Sequence, residues 1–273
     1  MNSADLHSKA QSLVKLRHES GINRAISDSL LIAWRNLIRL SRTPAVIVSV
    51  LLFPILFFSG FLLAFERLMS FQGIDYVQYL VPIITLQAMF FTAMGSAVTL
   101  AKDIKTGMLQ RCRAMPISRA AVLGGLILAY LVRAIAATII LLTFAHLYGF
   151  RFQTSFIAIL CYLVLTLLFT TTAVAGYAVF ALVLRQPDLV NSLLIVPYAP
   201  LLLLSTGFSP VENFPQWLQP IVQVQPVSHT AAALRALVNG TELLVPLFWS
   251  LVWLIGLLIA FSLIAVRLYQ RVS

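Results

Sequence analysis

The sequence predicts an all-α integral membrane protein with six transmembrane helices, an N-terminal interfacial helix, and an outer re-entrant helical hairpin between the fifth and sixth spans. Three observations predict this fold class. Of the 273 residues, 60% are hydrophobic and only 10% are charged, whereas soluble domains carry about 25% charged residues. The apolar residues form continuous runs, without the period-2 alternation of a membrane β-barrel. Lysine and arginine are unevenly divided among the segments between these runs.

Six apolar runs are long enough to cross a bilayer, which needs about 20 residues of helix. Five contain no charged residue, and one is apolar except for Arg133 and His146. The fourth run exceeds one membrane thickness, so we expect it to tilt or to project from the bilayer. In chain order the runs are 44–65, 77–100, 120–147, 154–184, 189–211 and 243–266.

The distribution of basic residues predicts that both termini are cytoplasmic, because Lys and Arg accumulate on the cytoplasmic side of membrane proteins. With the N-terminus inside, fifteen of the 19 Lys and Arg residues fall in cytoplasmic segments. Arg67, Arg151 and Arg235 fall outside, and Arg133 lies within a span. The net charge of +10 is therefore a topology signal, and it does not predict a nucleic-acid partner. We expect a multi-pass protein of the plasma membrane.

The segment before the first span predicts a mobile cytoplasmic tail over 1–23 and an amphipathic helix over 24–43. At 100° per residue, one face of this helix is apolar and the opposite face carries Arg35, Arg39 and Arg42. We expect the helix to lie in the cytoplasmic interface, with Trp34 at headgroup depth and the arginines towards anionic lipid. A cytosolic helix that docks on a partner is the alternative. The apolar face consists of Ile26, Leu30, Trp34, Leu37 and Ile38.

Catalytic motifs are absent from the sequence. There is no G-x-x-x-x-G-K-[ST] phosphate loop, no H-E-x-x-H and no G-x-S-x-G. Cys112 and Cys161 lack metal-ligand spacing. We therefore expect no catalytic residue, no metal site and no cofactor on this chain. The six runs also contain no Asp or Glu, the groups with which ion-coupled transporters work at mid-membrane depth.

Two segments between the spans carry more information than the rest. The basic loop 102–119 is predicted to be a short cytoplasmic helix ending at Pro116, either a docking element for a soluble motor or simply a positively charged topology anchor. The outer segment 205–241 stays apolar but contains four prolines, which break any single helix. We expect a pair of short helices that dip into the outer leaflet, with an ordinary exposed loop as the alternative.

These two segments resemble the membrane subunits of ABC-2 type transporters, specifically the daunorubicin-resistance-type permeases of actinobacteria. The cytoplasmic loop has a glycine, basic residues and a Pro-x-Ser ending. The outer segment has S-x-G-x-x-P, F-P-x-W-L-Q-P, Q-P-V-S and A-L-R-A-L elements. The stretch 79–97 is also similar to the permeases with which mycobacteria export cell-envelope lipids. The loop element lies at 107–119, and the four elements of the outer segment lie, in the order given, at 205–210, 214–220, 225–228 and 233–237.

The resemblance implies a permease of an ATP-driven exporter that moves a hydrophobic or amphiphilic compound, a lipid or a drug. Two ATPase subunits on separate chains would hold ATP and Mg²⁺, and a second permease, a paralogue or else an identical copy, would complete the complex. Contact with the ATPase is assigned to the loop residues Asp103, Gly107, Arg111, Arg113 and Pro116.

Three polar residues within the spans are candidates for the substrate route. Arg133 is the one charge well inside a run, where it either meets the polar part of a substrate or reaches back to the cytoplasmic headgroups. Thr85 and Gln87 are weaker candidates, because single polar residues often only bridge neighbouring helices. A stand-alone secondary transporter or channel is the alternative function, which an intramembrane acidic residue would have favoured.

Overall fold

The computed structural model describes residues 21–71, 73, 75–108 and 119–271, and within these ranges all regular structure is helical. The α-helices of these ranges are numbered here in chain order, and a single 3₁₀ turn, Val211–Asn213, lies between α7 and α8. They are α1 (Gly21–Ser41), α2 (Pro44–Ser70), α3 (Tyr76–Lys105), α4 (Arg119–Leu147), α5 (Phe156–Leu184), α6 (Pro187–Leu193), α7 (Ile195–Leu203), α8 (Gln219–Val224), α9 (Pro226–Asn239) and α10 (Leu244–Arg271).

Five helices of the described chain are long and apolar enough to cross a membrane. The prediction of an all-helical membrane protein is confirmed at this level, and five of the six apolar runs are single helices. The candidate spans are Leu52–Ser70 in α2, Tyr76–Lys105 in α3, Gly124–Leu147 in α4, Phe156–Leu184 in α5 and Leu244–Tyr269 in α10.

The prediction of one continuous helix over 189–211 is wrong. This run folds as α6 and α7, which together cover Pro187–Leu203, and the chain then turns. Pro197 and Pro200 have no N–H to donate to the preceding turn, which explains why the helix is interrupted just before them. The Tyr177 hydroxyl donates to the carbonyl of Leu194 at the break, over 3.5 Å. The described structure therefore has five long candidate spans where the sequence predicted six.

Helix α3 is the centre of the bundle and contacts α2, α4, α5, α6 and α9. It begins at Asp75, whose carboxylate accepts from the backbone N–H of Gln78 over 3.3 Å, as an N-cap residue does. Lys102 and Lys105 in its last turn complement the helix dipole. Gly107 follows with a φ of +68°, a left-handed conformation that favours glycine.

The two ends of the bundle are named here after the predicted orientation. The outer end is where α3, α5 and α10 begin, and the inner end is where α3 and α5 finish and α4 begins. Helix α9 packs against α3, α5 and α10 at the outer end. Its attachment includes the Thr154 hydroxyl, which donates to the carbonyl of Leu237 over 2.7 Å, and the Gln153 N–H, which donates to the carbonyl of Val238 over 2.9 Å.

Candidate functional site

An ion-pair cluster joins α1 to the inner end of α3. The carboxylate of Asp103 accepts from the Arg39 guanidinium over 2.8 Å and from the Arg35 guanidinium over 3.2 Å. Arg35 also donates to the side chain of Asn36 over 3.3 Å. The cluster consists of Arg35, Asn36, Arg39 and Asp103. Asp103 and Asn36 are buried, whereas the two arginine side chains are partly exposed.

This cluster brings together residues that sequence reasoning had assigned to separate roles. Arg35 and Arg39, expected towards anionic lipid, are engaged by Asp103, which was expected at the ATPase contact. Arg42 is exposed, and Trp34 is 65% exposed on the outside of α1. A place for Trp34 and Arg42 at the membrane surface remains a prediction.

Helix α1 is packed against α4 through a pair of glycines. A Cβ atom on Gly125 would lie 2.7 Å from the carbonyl oxygen of Ser29 and 2.7 Å from Cβ of Ile32. A Cβ on the neighbouring Gly124 would lie 3.2 Å from the Ser29 hydroxyl. The buried face of α1 therefore contains Ile32 and Ala33. Of the apolar face that the sequence predicted to lie at the membrane, Leu30 and Trp34 are exposed, whereas Leu37 packs against the core.

The remaining residues assigned to ATPase contact are only partly placed. Asp103 and Gly107 lie at the inner end of α3, adjacent to the α1 cluster. Arg111, Arg113 and Pro116 lie outside the described residues. The loop nevertheless leaves from the point where α1 is fixed to α3, since Gly107 is only four residues beyond Asp103.

A cavity of about 560 Å³ lies between α2, α3, α4 and the α6–α7 pair near the inner end. This inner cavity has six polar lining residues and several apolar ones, and none of its lining residues in the described chain is acidic. The apolar part consists mainly of Phe53, Phe91, Met94, Val98 and Ile195. The polar residues are Thr43, Thr99, Lys102, Tyr130, Arg133 and Asn191.

Arg133 is held in the wall of this cavity beside α3. Its guanidinium carbon lies 5.8 Å from the centre of the Tyr130 ring. A Cβ on Gly95 would lie 2.7 Å from one guanidinium nitrogen, so the absence of a side chain at Gly95 makes room for Arg133. Tyr130 in turn donates to the carbonyl of Gly95 over 2.8 Å and pairs with the Thr99 hydroxyl over 2.7 Å.

Thr85 and Gln87 do not line the inner cavity. The Thr85 hydroxyl is fully buried and pairs with the Tyr162 hydroxyl over 2.7 Å. Gln87 is 2% exposed and donates to the Tyr198 hydroxyl of α7 over 3.0 Å. In the structure both residues bridge α3 to neighbouring helices, and of the three route candidates only Arg133 reaches the cavity.

In the outer segment, several hydrogen bonds converge on the backbone carbonyl of Thr206 and the residues next to it. This oxygen accepts from the Tyr79 hydroxyl over 2.6 Å and from the Arg235 guanidinium over 2.9 Å. The N–H of Thr206 donates to the Ser228 hydroxyl over 3.1 Å. The side-chain amide of Gln225 donates to the carbonyl of Leu204. Arg235 and Thr206 of the outer segment, 29 residues apart in the sequence, thus meet with Tyr79 of α3, which is 127 residues from Thr206.

Arg235 carries a partly buried positive charge in this outer network. Its guanidinium carbon lies 4.1 Å from the centre of the Tyr79 ring, the distance of a cation–π contact. Burial lowers the pKa of Arg235 from its ordinary value, although arginine stays protonated in proteins. The aromatic face and the Thr206 carbonyl offset the cost of burying the charge. The network's role is therefore structural, to fix the outer segment on α3.

Gly207 explains why the outer segment approaches α3 so closely. A Cβ on Gly207 would lie 2.9 Å from Cβ of Ile83 and closer still to the outer atoms of that side chain. The N–H of Gly207 donates to the Ser205 hydroxyl over 3.2 Å, and Ser205 itself donates to the carbonyl of Leu202 over 2.6 Å. The S-x-G element therefore forms a compact turn against α3.

Sequence reasoning missed most of the inner cavity. Lys102, Asn191 and Tyr130 were not singled out as lining residues, because they come from three helices whose packing the sequence does not reveal. A row of phenylalanines on α2 was also missed, although its spacing of four residues was visible. The row consists of Phe53, Phe57, Phe61 and Phe65.

In the described part of the chain, no group of three or more His, Cys, Asp or Glu side chains is placed to hold a metal ion.

Comparison with known protein families shows to which family the chain belongs. The profile of the ABC-2 type transporter family matches residues 28–239, which include most of α1, the inner cavity and the outer network. The chain belongs to the ABC-2 type transporter family. It is a multi-pass membrane subunit of this family, and its apolar helices agree with that assignment.

Individual ABC-2 relatives match along nearly the whole chain. The chain is 27% identical to the daunorubicin resistance ABC transporter permease protein DrrB1 of Streptomyces coeruleorubidus, over 90% of this chain and 87% of the relative. It is 29% identical to the probable doxorubicin resistance ABC transporter permease protein DrrC of Mycobacterium tuberculosis, over 91% and 90% respectively. The DrrB permease of the same organism is 28% identical over 60% of this chain and 57% of the relative.

Proposed function

We propose that this chain is the permease subunit of an ATP-driven exporter that moves a hydrophobic or amphiphilic compound, a cell-envelope lipid or a drug, out across the plasma membrane. The family match over 28–239 carries the proposal. Relatives that are named drug-resistance permeases support the direction and the substrate class.

The proposed topology has six crossings, with α6 and α7 together as the fifth. Their 17 residues reach about 25 Å at the helical rise of about 1.5 Å per residue, close to the bilayer core of about 30 Å. The Tyr177 hydroxyl at the Leu194 carbonyl helps to satisfy the backbone at the break. Both termini are then cytoplasmic, as the distribution of Lys and Arg requires.

The outer segment 205–241 is proposed to be re-entrant. Helix α9 is buried against three spans, including its residues Ala231, Ala233 and Leu234, which are fully buried. Burial within protein is the condition under which irregular backbone is tolerated at membrane depth. The hydrogen bonds around the Thr206 carbonyl provide this condition for the turn that precedes α8 and α9.

Energy is proposed to enter from a partner chain through the loop 102–119. Two ATPase subunits would bind ATP and Mg²⁺ and press on Gly107, Arg111, Arg113 and Pro116. The Asp103 cluster supports this role, because it fixes the loop's point of departure to α1. A push on the loop would then move α1 and α3 together.

The second permease of the complex is proposed to be a paralogue. The chain is similar to two different permeases of one organism, DrrC and DrrB. An organism that has two such permeases can pair two unlike subunits in one complex, and this supports a paralogue as the partner. An identical second copy is the alternative, and the subunit composition of the purified complex distinguishes the two.

Co-purification tests the proposed function directly. The tagged chain is extracted in mild detergent from cells that express its genomic neighbours untagged, and the complex is analysed by mass spectrometry and an ATPase assay. We expect an ABC ATPase at equal copy number with the permeases and hydrolysis that amphiphiles stimulate. Charge reversal at Arg111 and Arg113 should abolish the stimulation. A lone protein without ATPase activity, also in lipid nanodiscs, would refute the proposal.

A further inference from the structure

The charged residues that line the inner cavity are all positive in the described chain. Lys102 and Arg133 both line it, and its described lining contains no carboxylate. Arg133 is nine residues inside the span that begins at Gly124, about 14 Å from its inner end at the helical rise. Ionisable residues within membrane spans are rare, and they mark the pathways of substrates and ions.

The cavity is also of a size that suits a ligand. Its volume of about 560 Å³ falls within the range of about 300–1,000 Å³ typical of small-molecule sites. Its walls are mostly apolar, and Thr99, Tyr130 and Asn191 add a few hydrogen-bonding groups near the two cations. An apolar pocket with convergent polar groups at one place is the general form of a binding site.

A stripe of stacked phenylalanines leads from this cavity along α2. Successive ring centres of Phe53, Phe57, Phe61 and Phe65 are 6.1, 6.4 and 5.9 Å apart, and the ring planes differ by only 20–23°. Phe53 lines the inner cavity. Phe53 and Phe65 are twelve helical steps apart, which is about 18 Å of helix.

The outer end of the stripe opens into a second cavity, of about 320 Å³. Phe61 and Phe65 line it together with Phe208 of the outer segment, whose ring stacks on Phe61 with centres 4.3 Å apart. Phe53 and Phe65, the two ends of the stripe, are 44% and 39% exposed. Phe57 and Phe61 between them are half-buried and pack against the core. The stripe is therefore a continuous apolar surface between the two cavities that is exposed at both ends.

We propose that the inner cavity binds the anionic headgroup of an amphiphile at Arg133 and Lys102, while its hydrocarbon part lies along the phenylalanine stripe. Two cations that line one cavity attract an anion and repel a cation. The stripe supplies the apolar contact area that a free inorganic anion cannot use. This inference rests on the proposed exporter function and narrows its substrate class to anionic amphiphiles.

A pair of photoactivatable probes tests the preference for negative charge. Hexadecyl sulfate and hexadecyltrimethylammonium, each with the same diazirine in the tail, are bound to the full-length chain in phosphatidylcholine nanodiscs. After illumination, labelled peptides are identified by mass spectrometry. We expect the sulfate probe to label the α2 stripe and the ammonium probe to label it far less. Equal labelling by the two probes would overturn the proposal.

Variants test the two cations. Arg133→Gln should lower sulfate labelling about tenfold, the loss expected for one charge-assisted hydrogen bond. Lys102→Gln, an exposed change with little risk to folding, should lower it as well, and Arg133→Lys should restore most of it. Arg67→Gln is the matched control, because Arg67 is an exposed arginine at the outer end and should not matter. Unchanged labelling in both Lys102→Gln and Arg133→Gln would contradict the assignment.

Two further measurements separate this inference from related ones. Inorganic sulfate at millimolar concentration should not displace the probe, and displacement would show an ion site instead of an amphiphile site. ATP-driven transport of a neutral amphiphile by the assembled complex is measured in parallel. Transport without any preference for the anionic probe would overturn the inference and leave the exporter function standing. Binding of the anionic probe without ATP-driven transport would instead overturn the exporter function.

Discussion

Replacing Asp103 by asparagine should loosen α1 from α3. The change removes the negative charge that the guanidinium groups of Arg35 and Arg39 share, while it keeps the size of the side chain. Helix α1 would stay attached to α4 through the packing at Gly125, so we expect local opening of α1 and not unfolding of the bundle.

The magnitude follows from the exposure of the three groups. The side chains of Arg35 and Arg39 are 38% and 45% exposed, so solvent screens both pairs, whereas that of Asp103 is 12% exposed. Exposed ion pairs contribute roughly 0.2–1 kcal/mol each. Two such pairs contribute about 0.4–2 kcal/mol together, so we expect a loss within this range, which corresponds to a factor of about 2–30 in the local opening equilibrium.

Amide hydrogen exchange measures this opening. Peptides from the second half of α1 should exchange about 2–30 times faster in Asp103→Asn than in the wild type, and peptides of α5 should not change. Asp188→Asn is the matched control, because Asp188 is exposed at the start of α6. Unchanged exchange in α1, or equal acceleration in the control, would refute the role given to the cluster.

Three other changes have expected outcomes that thermal unfolding in detergent can measure. Gly125→Ala should destabilise the chain by about 1–3 kcal/mol, because the added methyl group meets the backbone of α1, and Gly207→Ala by a similar amount through its overlap with Ile83. Gly256→Ala is the control for both, since its site in α10 is open and no loss is expected; a comparable loss there would contradict the packing argument. Tyr79→Phe should cost about 1 kcal/mol, the usual value of one hydrogen bond, and an unchanged melting temperature would show that the outer network does not depend on that hydroxyl.

The positions of the long apolar helices could be predicted from the sequence. Five charge-free or nearly charge-free runs became long helices, because about 20 apolar residues satisfy both backbone hydrogen bonding and burial in a bilayer. The run 189–211 failed as a single span even though it has no charge. Pro197 and Pro200 indicated a break in this helix, but a hydropathy count does not register the missing backbone N–H of proline.

The sites were less predictable because they depend on packing between helices. Asp103 and Arg39 are 64 residues apart, and nothing in either local pattern shows that they meet. The face of α1 that packs on α4 could not be predicted either, because the contact depends on the glycine pair of α4, which meets Ser29 and Ile32. Arg133 was found because a charge inside an apolar run is visible without any structure.

Transport into inside-out membrane vesicles tests the central claim most directly. Vesicles from cells that express this chain with its neighbouring genes are given a fluorescent amphiphile, with ATP or with an imposed proton gradient. An exporter subunit predicts accumulation that requires ATP, stops with vanadate and withstands a protonophore. Accumulation driven by the proton gradient without ATP would contradict the account and support a secondary transporter.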